Sequence, residues 1–413
     1  MKVKKQKRYL LTYIFAGCSL LGLQAQTEQM LMDTVEVRLP WPQNLQTRLD
    51  TLIQNPLFER SQLGLLVYDL TADSVLYRHG EKQTLRPAST MKLLTAITAL
   101  DRLGANYQFR TSLRYSGTVE DSVLVGDLYC VGGMDPMFDT IDMNAFVESV
   151  LGLGVKVIRG RLVAVTSFKD DLLLGEGWCW DDDNPQLTPL LISRKDEFMS
   201  RFVEMLRAAG VEVDAPCTAG ALPKESLTIC TRNHSLRQIL LPMMKDSDNL
   251  YAESVFFQVA SMISSRPATA AHGRQAVKEV LGKAGVKDIQ YRIADGSGLS
   301  LYNYVTPELM VKLLIYAYRQ RGLYMELFPT LPVAGQDGTL KKRMVKSVAN
   351  GRVRAKTGTV TGVTTLAGYC TSSNGHILTF SIMNQGVLKI AEGRNFQDQV
   401  CEIMSDPNRY GSY

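Results

Sequence analysis

The chain has 413 residues, of which 45% are apolar and 21% charged, a composition typical of a globular protein. Its formal net charge is +5, but residues 1–25 contain five bases and no acid, so the remainder is formally neutral. Because a nucleic-acid binder needs a basic face on its folded body, this distribution excludes nucleic acid as a partner.

The chain opens with the features of a secretory signal peptide. Five bases are followed by a short apolar run and by Ala25 at a position suited to cleavage. The apolar run is shorter than the ~20 residues that a transmembrane helix needs. We therefore expect residues 1–25 to be removed on export, leaving no transmembrane span and placing the protein in the periplasm or cell envelope. An uncleaved membrane anchor is the alternative.

Cys18 allows a second interpretation of this leader. The sequence Phe15-Ala-Gly-Cys18 resembles a lipoprotein cleavage box, so a lipoprotein anchored through Cys18 stays open. Cleavage near Ala25 is favoured because apolar residues continue past Cys18. That cleavage leaves six of the seven cysteines. Export permits disulfides, but the sequence selects no pairing, and buried free thiols are the alternative.

A hairpin and a helix are predicted in the first part of the mature chain. Residues 64–70 and 74–79 have the composition of strands and are separated by a turn sequence. Residues 90–104 are predicted to form an apolar helix, with Pro87 near its start and a glycine at its end.

The pattern changes between residues 111 and 230, where short apolar runs are punctuated by Gly and Asp, as is typical of β-structure. One helix is predicted in this region, at residues 196–209. Further helices are predicted at residues 235–244, 250–263, 307–320 and 392–404, and further strands at 352–359, 364–371 and 377–383. This order predicts an α/β domain made of residues 26–110 and 235–413, divided by a β-rich insertion at 111–234.

Three short motifs occur in order: Ser89-Thr-Met-Lys92, Ser247-Asp-Asn249 and Lys356-Thr-Gly358. Each is weak alone, since chance supplies about one or two S-x-x-K matches in such a chain, about one S-x-N and ~0.1 K-T-G. Their placement adds specificity, because Ser89 and Lys92 share one face at a helix start. The second motif lies in a turn between helices and the third lies in a strand, so the set indicates one site.

The motifs favour a serine nucleophile with a lysine base. A serine hydroxyl needs a base to take its proton, and Lys92 can serve if its pKa falls from about 10.4. Burial and a nearby cation lower a lysine pKa, and Lys356 is the expected cation. Backbone N–H groups at the helix start suit a developing oxyanion. A Ser-His-Asp triad has little support, because none of the four histidines lies in a motif: His79, His234, His272 and His376.

Each motif also has a purely structural interpretation. Ser89 could be only a helix-start residue and Lys92 a solvated side chain. Residues 247–249 could be only a polar turn, favoured by its Asx chemistry. Gly358 is compatible with a bulge or with a close approach of another backbone.

Other conspicuous segments are expected to be structural. Residues 132–133 and 295–298 lack the spacing of a phosphate-binding loop and are interpreted as turns. Trp178 and Trp180 are expected to pack rather than to form a sugar platform. The scattered histidines have no zinc-binding spacing, so we predict no metal and no cofactor.

Together the motifs resemble the signature of serine penicillin-binding proteins and serine β-lactamases. Within that group the chain resembles the class C low-molecular-mass penicillin-binding proteins, the D-alanyl-D-alanine carboxypeptidase/endopeptidase family. The long gap between Lys92 and Ser247 looks like the inserted domains of that family, although Met134 stands where a third glycine is usual. Flanking segments that match are 126–136, 175–182, 295–300 and 331–340. The resemblance implies an α/β (α+β) transpeptidase fold, with an antiparallel sheet flanked by helices and a β-rich insertion.

The resemblance implies three catalytic residues. Ser89 would be the acylated nucleophile and Lys92 its general base. Ser247 would relay a proton toward the leaving amine. The backbone N–H groups of Ser89 and Thr359 would form the oxyanion hole.

It also implies a substrate-binding set. Asn249 would position the substrate amide, and Lys356 would tune the electrostatics. Thr357 and Thr359 would bind the terminal carboxylate of the substrate. The donor peptide would lie along the strand that contains Gly358, as an added β-strand.

The function implied is that of an exported serine-type D-Ala-D-Ala carboxypeptidase, endopeptidase or both. Its substrates would be peptidoglycan stem peptides ending in D-Ala-D-Ala, cleaved through an acyl-serine intermediate, and β-lactam antibiotics would be covalent inhibitors. Two alternatives are a serine β-lactamase-like hydrolase and a non-catalytic wall-binding or sensor protein.

Overall fold

The computed structural model describes residues 39–180, 185–214, 216–263, 267–286 and 291–408. The expected signal peptide, residues 1–25, and the lipoprotein alternative at Cys18 lie outside these residues. Within the described part of the chain, no helix has both the length and the hydrophobicity needed to cross a membrane.

The helices, in chain order, are α1 Gln43–Leu52, α2 Met91–Arg102, α3 Thr140–Gly152, α4 Phe198–Ala208, α5 Leu236–Lys245, α6 Asn249–Ala260, α7 Ala270–Lys283, α8 Pro307–Arg319, α9 Arg321–Leu327 and α10 Ile390–Ser405. The strands are β1 Gln62–Asp69, β2 Ser74–His79, β3 Gln108–Tyr115, β4 Thr118–Glu120, β5 Val123–Val125, β6 Leu128–Val131, β7 Val157–Arg159, β8 Leu162–Val165, β9 Glu212–Val213, β10 Cys217–Ala219, β11 Leu227–Ser235, β12 Val353–Val360, β13 Val363–Thr371 and β14 Ile377–Gln385.

A five-stranded antiparallel sheet with the order β12-β13-β14-β1-β2 forms the centre of the fold. Its register pairs Gln62 of β1 with Gln385 of β14, so segments from both ends of the chain complete one sheet. Strand β13 is buried from Val363 to Cys370. Because helices cover both faces of the sheet, side chains on both sides of this strand are buried, including those of Thr364 and Thr365.

The two faces of this sheet contact two hydrophobic cores. On one face, helices α2, α6 and α8 contribute Leu94, Phe256 and Leu313 to a core that includes Met383 of β14. On the other face, helices α1 and α10 pack against the sheet, with Leu45 of α1 in the same cluster as β14 residues. Each fully buried Leu or Phe side chain stabilises the fold by about 1.5–3 kcal/mol. The first core fixes the helices that hold the motif residues.

Two further sheets form between α2 and α5, with the orders β10-β8-β6-β3-β11 and β4-β5-β7-β9. Helices α3 and α4 pack on them through Phe146 and Phe202. The sequence predicted α4 but missed α3, so this region is less purely β than expected. A detectable signal for α3 was its capping box, in which Asp139 and Asp142 each accept a backbone N–H of the other.

Trp178 and Trp180 differ in environment. Trp178 is 9% exposed and packs in the core, as the sequence predicted. Trp180 is 87% exposed, so the expectation that it packs is wrong. Free thiols are found at Cys130, Cys217, Cys230, Cys370 and Cys401.

Candidate active site

Ser89 lies in a short 3₁₀ turn, Ala88–Thr90, directly before helix α2. Ala88 has a φ of 46°, in the left-handed region that favours glycine. The turn is held by its neighbours, since the Thr90 and Thr365 hydroxyls both donate to the carbonyl of Pro87, at 2.6 and 2.7 Å. Strain maintained by the surroundings in this way is a common property of catalytic positions.

Lys92 lies one helical turn after Ser89 and is completely buried. Its Nζ is 3.0 Å from the Ser89 Oγ. The same Nζ donates to the Asn249 Oδ1 at 2.7 Å and to the Ser297 carbonyl at 2.8 Å. The ammonium therefore has three acceptors, and the reactive hydroxyl is one of them.

The buried position of Lys92 changes its protonation. Burial lowers its pKa to about 8. The negative charges of Asp295, Glu253 and Asp248 act in the other direction and raise the pKa, but by less than burial lowers it. With a pKa of about 8, roughly one Lys92 in ten is neutral at pH 7, against roughly one in 2500 for an ordinary lysine. Lys92 is thus well suited to take a proton from Ser89.

Lys356 reaches the site from strand β12. Its buried Nζ donates to the Ser247 Oγ and to the Thr357 carbonyl, both at 2.8 Å. Burial lowers the pKa of Lys356 well below its usual value, and the charge of Lys92 lowers it further. Desolvation is the main cause of the lowered pKa of Lys92. The role of Lys356 as a cation that also lowers the pKa of Lys92 stays a prediction.

The turn between α5 and α6 carries Ser247 and Asn249. Ser247 has a φ of 64°, a conformation costly for a residue with a side chain. Asp248 caps α6 by accepting the Tyr251 N–H, and it also pairs with Arg194 from the insertion. These contacts fix the turn with Ser247 against Lys356 and Asn249 against Lys92.

Strand β12 runs close to Ser89. A Cβ on Gly358 would lie 2.9 Å from the Ser89 backbone nitrogen and 2.1 Å from the Thr365 Oγ1, so only glycine fits. On either side, the Thr357 hydroxyl donates to the Thr339 Oγ1 at 2.7 Å, and Thr359 accepts from the Arg394 guanidinium at 3.2 Å. The structure therefore brings all three motifs to one site.

Sequence inspection missed a second layer of residues behind Lys92. Glu253 is fully buried and accepts the N–H of Ser297 at 2.7 Å and that of Gly296 at 3.1 Å. It thereby holds the Ser297 carbonyl that contacts Lys92. Burial and the charge of Asp295 raise the pKa of Glu253 to about 8. The available signal was spacing, because Glu253 lies one helical turn after Asn249 on the same face.

Asp295 connects this layer to the insertion. It is buried and accepts the Trp178 indole N–H at 2.9 Å, together with the N–H groups of Gly298 at 2.8 Å and Ser300 at 2.6 Å. A Cβ at Gly298 would lie 1.9 Å from the Ala88 carbonyl. The segment 295–298, interpreted from sequence only as a turn, thus supports the Ser89 turn as well as Lys92.

Two cavities flank Ser247. One, of about 530 Å³, contains Ser89 and opens along β12; it is lined by Ser89, Ser247, Gly338, Thr339, Lys341, Lys342, Arg343, Thr357, Thr359 and Arg394. The other, of about 650 Å³, lies between the 246–250 turn and residues 185–196 of the insertion. Open space therefore extends in both directions from Ser247.

Comparisons with known proteins agree with this geometry. The model of the D-Ala-D-Ala carboxypeptidase 3 (S13) family matches residues 45–192 and 192–406. A D-alanyl-D-alanine carboxypeptidase of Actinomadura sp. (strain R39) is 27% identical over 83% of this chain and 81% of its own length. The D-alanyl-D-alanine carboxypeptidase DacB of Haemophilus influenzae is 25% identical over 78% of this chain and 85% of its own.

Solved structures share the fold. Penicillin binding protein 4 (dacB) of Haemophilus influenzae aligns with a TM-score of 0.79 and 24% identity, covering 86% of this chain and 97% of that one. A predatory peptidoglycan endopeptidase of Bdellovibrio bacteriovorus aligns with a TM-score of 0.52 and 18% identity, covering 79% of this chain and 86% of that one. The predicted antiparallel sheet flanked by helices is thus confirmed.

Proposed function

The chain belongs to the D-Ala-D-Ala carboxypeptidase 3 (S13) family, and from that premise we propose that Ser89, Lys92 and Ser247 carry its acyl-serine chemistry. The chain is accordingly a serine-type D-Ala-D-Ala carboxypeptidase, with peptidoglycan stem peptides as substrates and carboxypeptidase cleavage, endopeptidase cleavage or both as its reaction. The observation that carries this proposal is the 3.0 Å contact between the Ser89 Oγ and the fully buried Lys92 Nζ.

Acylation begins with neutral Lys92. Its Nζ takes the Ser89 proton while the Oγ forms a bond to the carbonyl carbon of the penultimate D-Ala. The resulting oxyanion lies between the backbone N–H groups of Ser89 and Thr359. The carbon–nitrogen bond then breaks, and the leaving amine receives a proton from the Ser247 hydroxyl, which the Lys356 ammonium replenishes.

Deacylation repeats these steps with water. The proton that Lys92 took from Ser89 first passes through solvent to Lys356, which regenerates neutral Lys92 and the Lys356 ammonium. Lys92 then takes a proton from the water as the water oxygen bonds to the acyl carbon, and it returns that proton to the Ser89 Oγ as the ester bond breaks. Asn249 holds the substrate amide, while Thr357 and Thr359 bind the terminal carboxylate. The close approach at Gly358 supports a donor peptide that pairs with β12 as an added strand.

The test is labelling of the purified mature protein with a fluorescent penicillin, followed by an assay of D-Ala release from a pentapeptide. Stable label that is absent from Ser89→Ala, together with D-Ala release, is the expected result. Rapid loss of the label with penicillin hydrolysis would favour the β-lactamase-like alternative. Absence of both label and release would favour the non-catalytic binding protein.

Export and domain organisation are parts of the same proposal. A protein that acts on peptidoglycan must reach the cell envelope, which agrees with a cleaved leader at residues 1–25 or a lipid anchor at Cys18. We propose that residues 26–110 and 235–413 form the catalytic domain and residues 111–234 the insertion. β-Lactams are proposed as covalent inhibitors, and the Haemophilus penicillin binding protein 4 has been solved in complex with a β-lactam.

A further inference from the structure

The cavity that opens from Ser89 along β12 has a strongly basic lining. Four of its lining residues are bases, namely Lys341, Lys342, Arg343 and Arg394, and no Asp or Glu is among its described lining residues. The cavity across Ser247 is different, because Arg194 and Lys195 are accompanied there by Asp196, Asp246 and Asp248. The excess of positive charge is thus confined to one side of the nucleophile.

Three of the four bases are available to a ligand. Arg343 is held by Asp398, to which its guanidinium donates at 2.6 and 2.9 Å. Lys341, Lys342 and Arg394 are all exposed. Over the described ranges of the chain, none of these three forms a salt bridge with a carboxylate, whereas neighbouring Glu392 pairs with Lys389 at 3.3 Å.

The segment that presents the two lysines is firmly held. Lys341 and Lys342 follow the 3₁₀ turn Gly338–Leu340. Asp337, just before that turn, contacts the Lys245 Nζ at 2.7 Å and accepts the Val333 N–H at 2.8 Å. The lysine stems therefore begin from a fixed backbone, which reduces the entropy lost when their charged ends bind.

The bases lie at the end of the cleft assigned to the leaving group. Arg394 donates to the Thr359 Oγ1 at 3.2 Å. Thr339, in the 3₁₀ turn that precedes the two lysines, accepts from the Thr357 hydroxyl at 2.7 Å. Thr357 and Thr359 are the residues proposed to bind the carboxylate of the departing D-Ala. A released D-Ala has only that one carboxylate, so the additional bases match negative charge further along a larger leaving group.

We propose that Lys341, Lys342 and Arg394 form an anion subsite for a second carboxylate of the leaving group. The preferred leaving group is then a peptide with several carboxylates, as released from a D-Ala cross-link between two stems, rather than single D-Ala. This inference rests on the proposed function, because it uses the proposed position of the terminal carboxylate. It adds a substrate preference that the catalytic motifs alone do not determine.

The test compares two substrates with the same donor stem: a pentapeptide that releases D-Ala and a D-Ala cross-linked peptide dimer. In the double variant Lys341→Gln/Lys342→Gln of the full mature protein, we expect the ratio of dimer to pentapeptide kcat/KM to fall roughly tenfold, as for two exposed ion pairs. Added salt should lower the same ratio in the unmodified protein. Lys346→Gln, which alters an exposed lysine outside the cavity lining, should leave the ratio unchanged.

A dimer whose leaving strand has amidated carboxylates provides a second measurement. We expect the double variant to cleave this amidated dimer with the same ratio to pentapeptide as the unmodified protein does. Two results would overturn the subsite. In one, the double variant keeps the kcat/KM ratio of anionic dimer to pentapeptide; in the other, this ratio falls equally for the anionic and the amidated dimer. In that case penicillin labelling of Ser89 would still support the proposed function. Absence of labelling and of both cleavages would refute the proposed function and the subsite together.

Discussion

At the scale of single residues, the site depends on two buried lysines that have different partners. Lys92 contacts the nucleophile, and Lys356 contacts Ser247, each within hydrogen-bond distance. Desolvation lowers the pKa of both, because a buried ammonium loses the water that stabilises its charge. The consequence is a base that is partly neutral near physiological pH, without a histidine.

The first prediction concerns the pH dependence of acylation. Only neutral Lys92 can take the Ser89 proton, and its neutral fraction rises with pH until the pH passes its pKa of about 8. The rate constant for labelling by a fluorescent penicillin should therefore rise about tenfold per pH unit below that pKa and level off above it. A midpoint near 10 would contradict a buried Lys92 base, and Ser89→Ala serves as the unlabelled control.

The second prediction concerns Glu253. Its charge raises the pKa of Lys92, and its oxygens hold the Gly296 and Ser297 N–H groups. With a pKa of about 8, Glu253 is partly ionised in the pH range where Lys92 titrates. Glu253→Gln removes that partial charge but keeps an acceptor oxygen, so the midpoint of the labelling profile should move modestly to lower pH. Complete labelling at pH 9.5 would show that the variant is folded.

Glu204→Gln, an exposed glutamate on α4, is the matched control and should not move the midpoint. An unchanged or higher midpoint in Glu253→Gln would contradict the electrostatic effect of Glu253 on Lys92.

At the scale of elements, the contact between strand β12 and the Ser89 turn determines whether the oxyanion hole can form. A methyl group on Gly358 would be forced against the Thr365 hydroxyl and the Ser89 nitrogen. Overpacking of this kind usually costs about 1–3 kcal/mol and here displaces the strand from the nucleophile.

The third prediction is that Gly358→Ala slows penicillin labelling by about 100-fold or more, because one lost oxyanion donor costs that much. Gly322→Ala is the control, since a Cβ there meets no atom within 4 Å. It should leave labelling unchanged and stabilise helix α9 by about 0.5–1 kcal/mol. Labelling of Gly358→Ala at the rate of the unmodified protein would refute the close approach.

Local patterns predicted the elements that hold the motifs, including the helix after Ser89 and the strand that contains Lys356. They did not predict which distant residues surround these motifs. Glu253 follows its motif within one helix, so spacing could have indicated it, but Arg394 and Trp178 reach the site only through tertiary packing. Helix α3 was missed because the short apolar runs around it, which are separated by Gly and Asp, have the pattern typical of strands.

At the scale of the whole molecule, residues 111–234, the proposed insertion, form hydrogen bonds and an ion pair with the proposed active site at several points. Trp178 donates to buried Asp295, Arg194 pairs with Asp248, and the Gln258 amide donates to the Gly133 carbonyl at 2.6 Å. Asp248 belongs to the Ser247–Asn249 motif, Gln258 lies on the helix that begins at Asn249, and Asp295 lies in the segment that contacts Lys92. The insertion is therefore expected to influence catalysis as well as substrate access.

The fourth prediction tests this connection with Trp178→Phe. The ring stays packed but its N–H hydrogen bond to Asp295 is lost, which costs about 1–2 kcal/mol and, in a chain of this length, lowers Tm by about 1–3 °C. Penicillin labelling should slow by less than tenfold, because Asp295 keeps its other donors. Trp180→Phe changes an exposed ring and should alter neither quantity. A Tm equal to that of the unmodified protein would show that the indole bond contributes nothing.

The pairing of β1 with β14 also determines when activity can arise during biosynthesis. Ser89 and Lys92 are synthesised early, but β1 acquires its partner strand only when residues 377–385 have emerged, and Lys356 belongs to the same late segment. Contacts of such long sequence separation form slowly. A chain that is still being synthesised consequently lacks an assembled active site, so activity begins only after residues 377–385 have emerged and paired with β1.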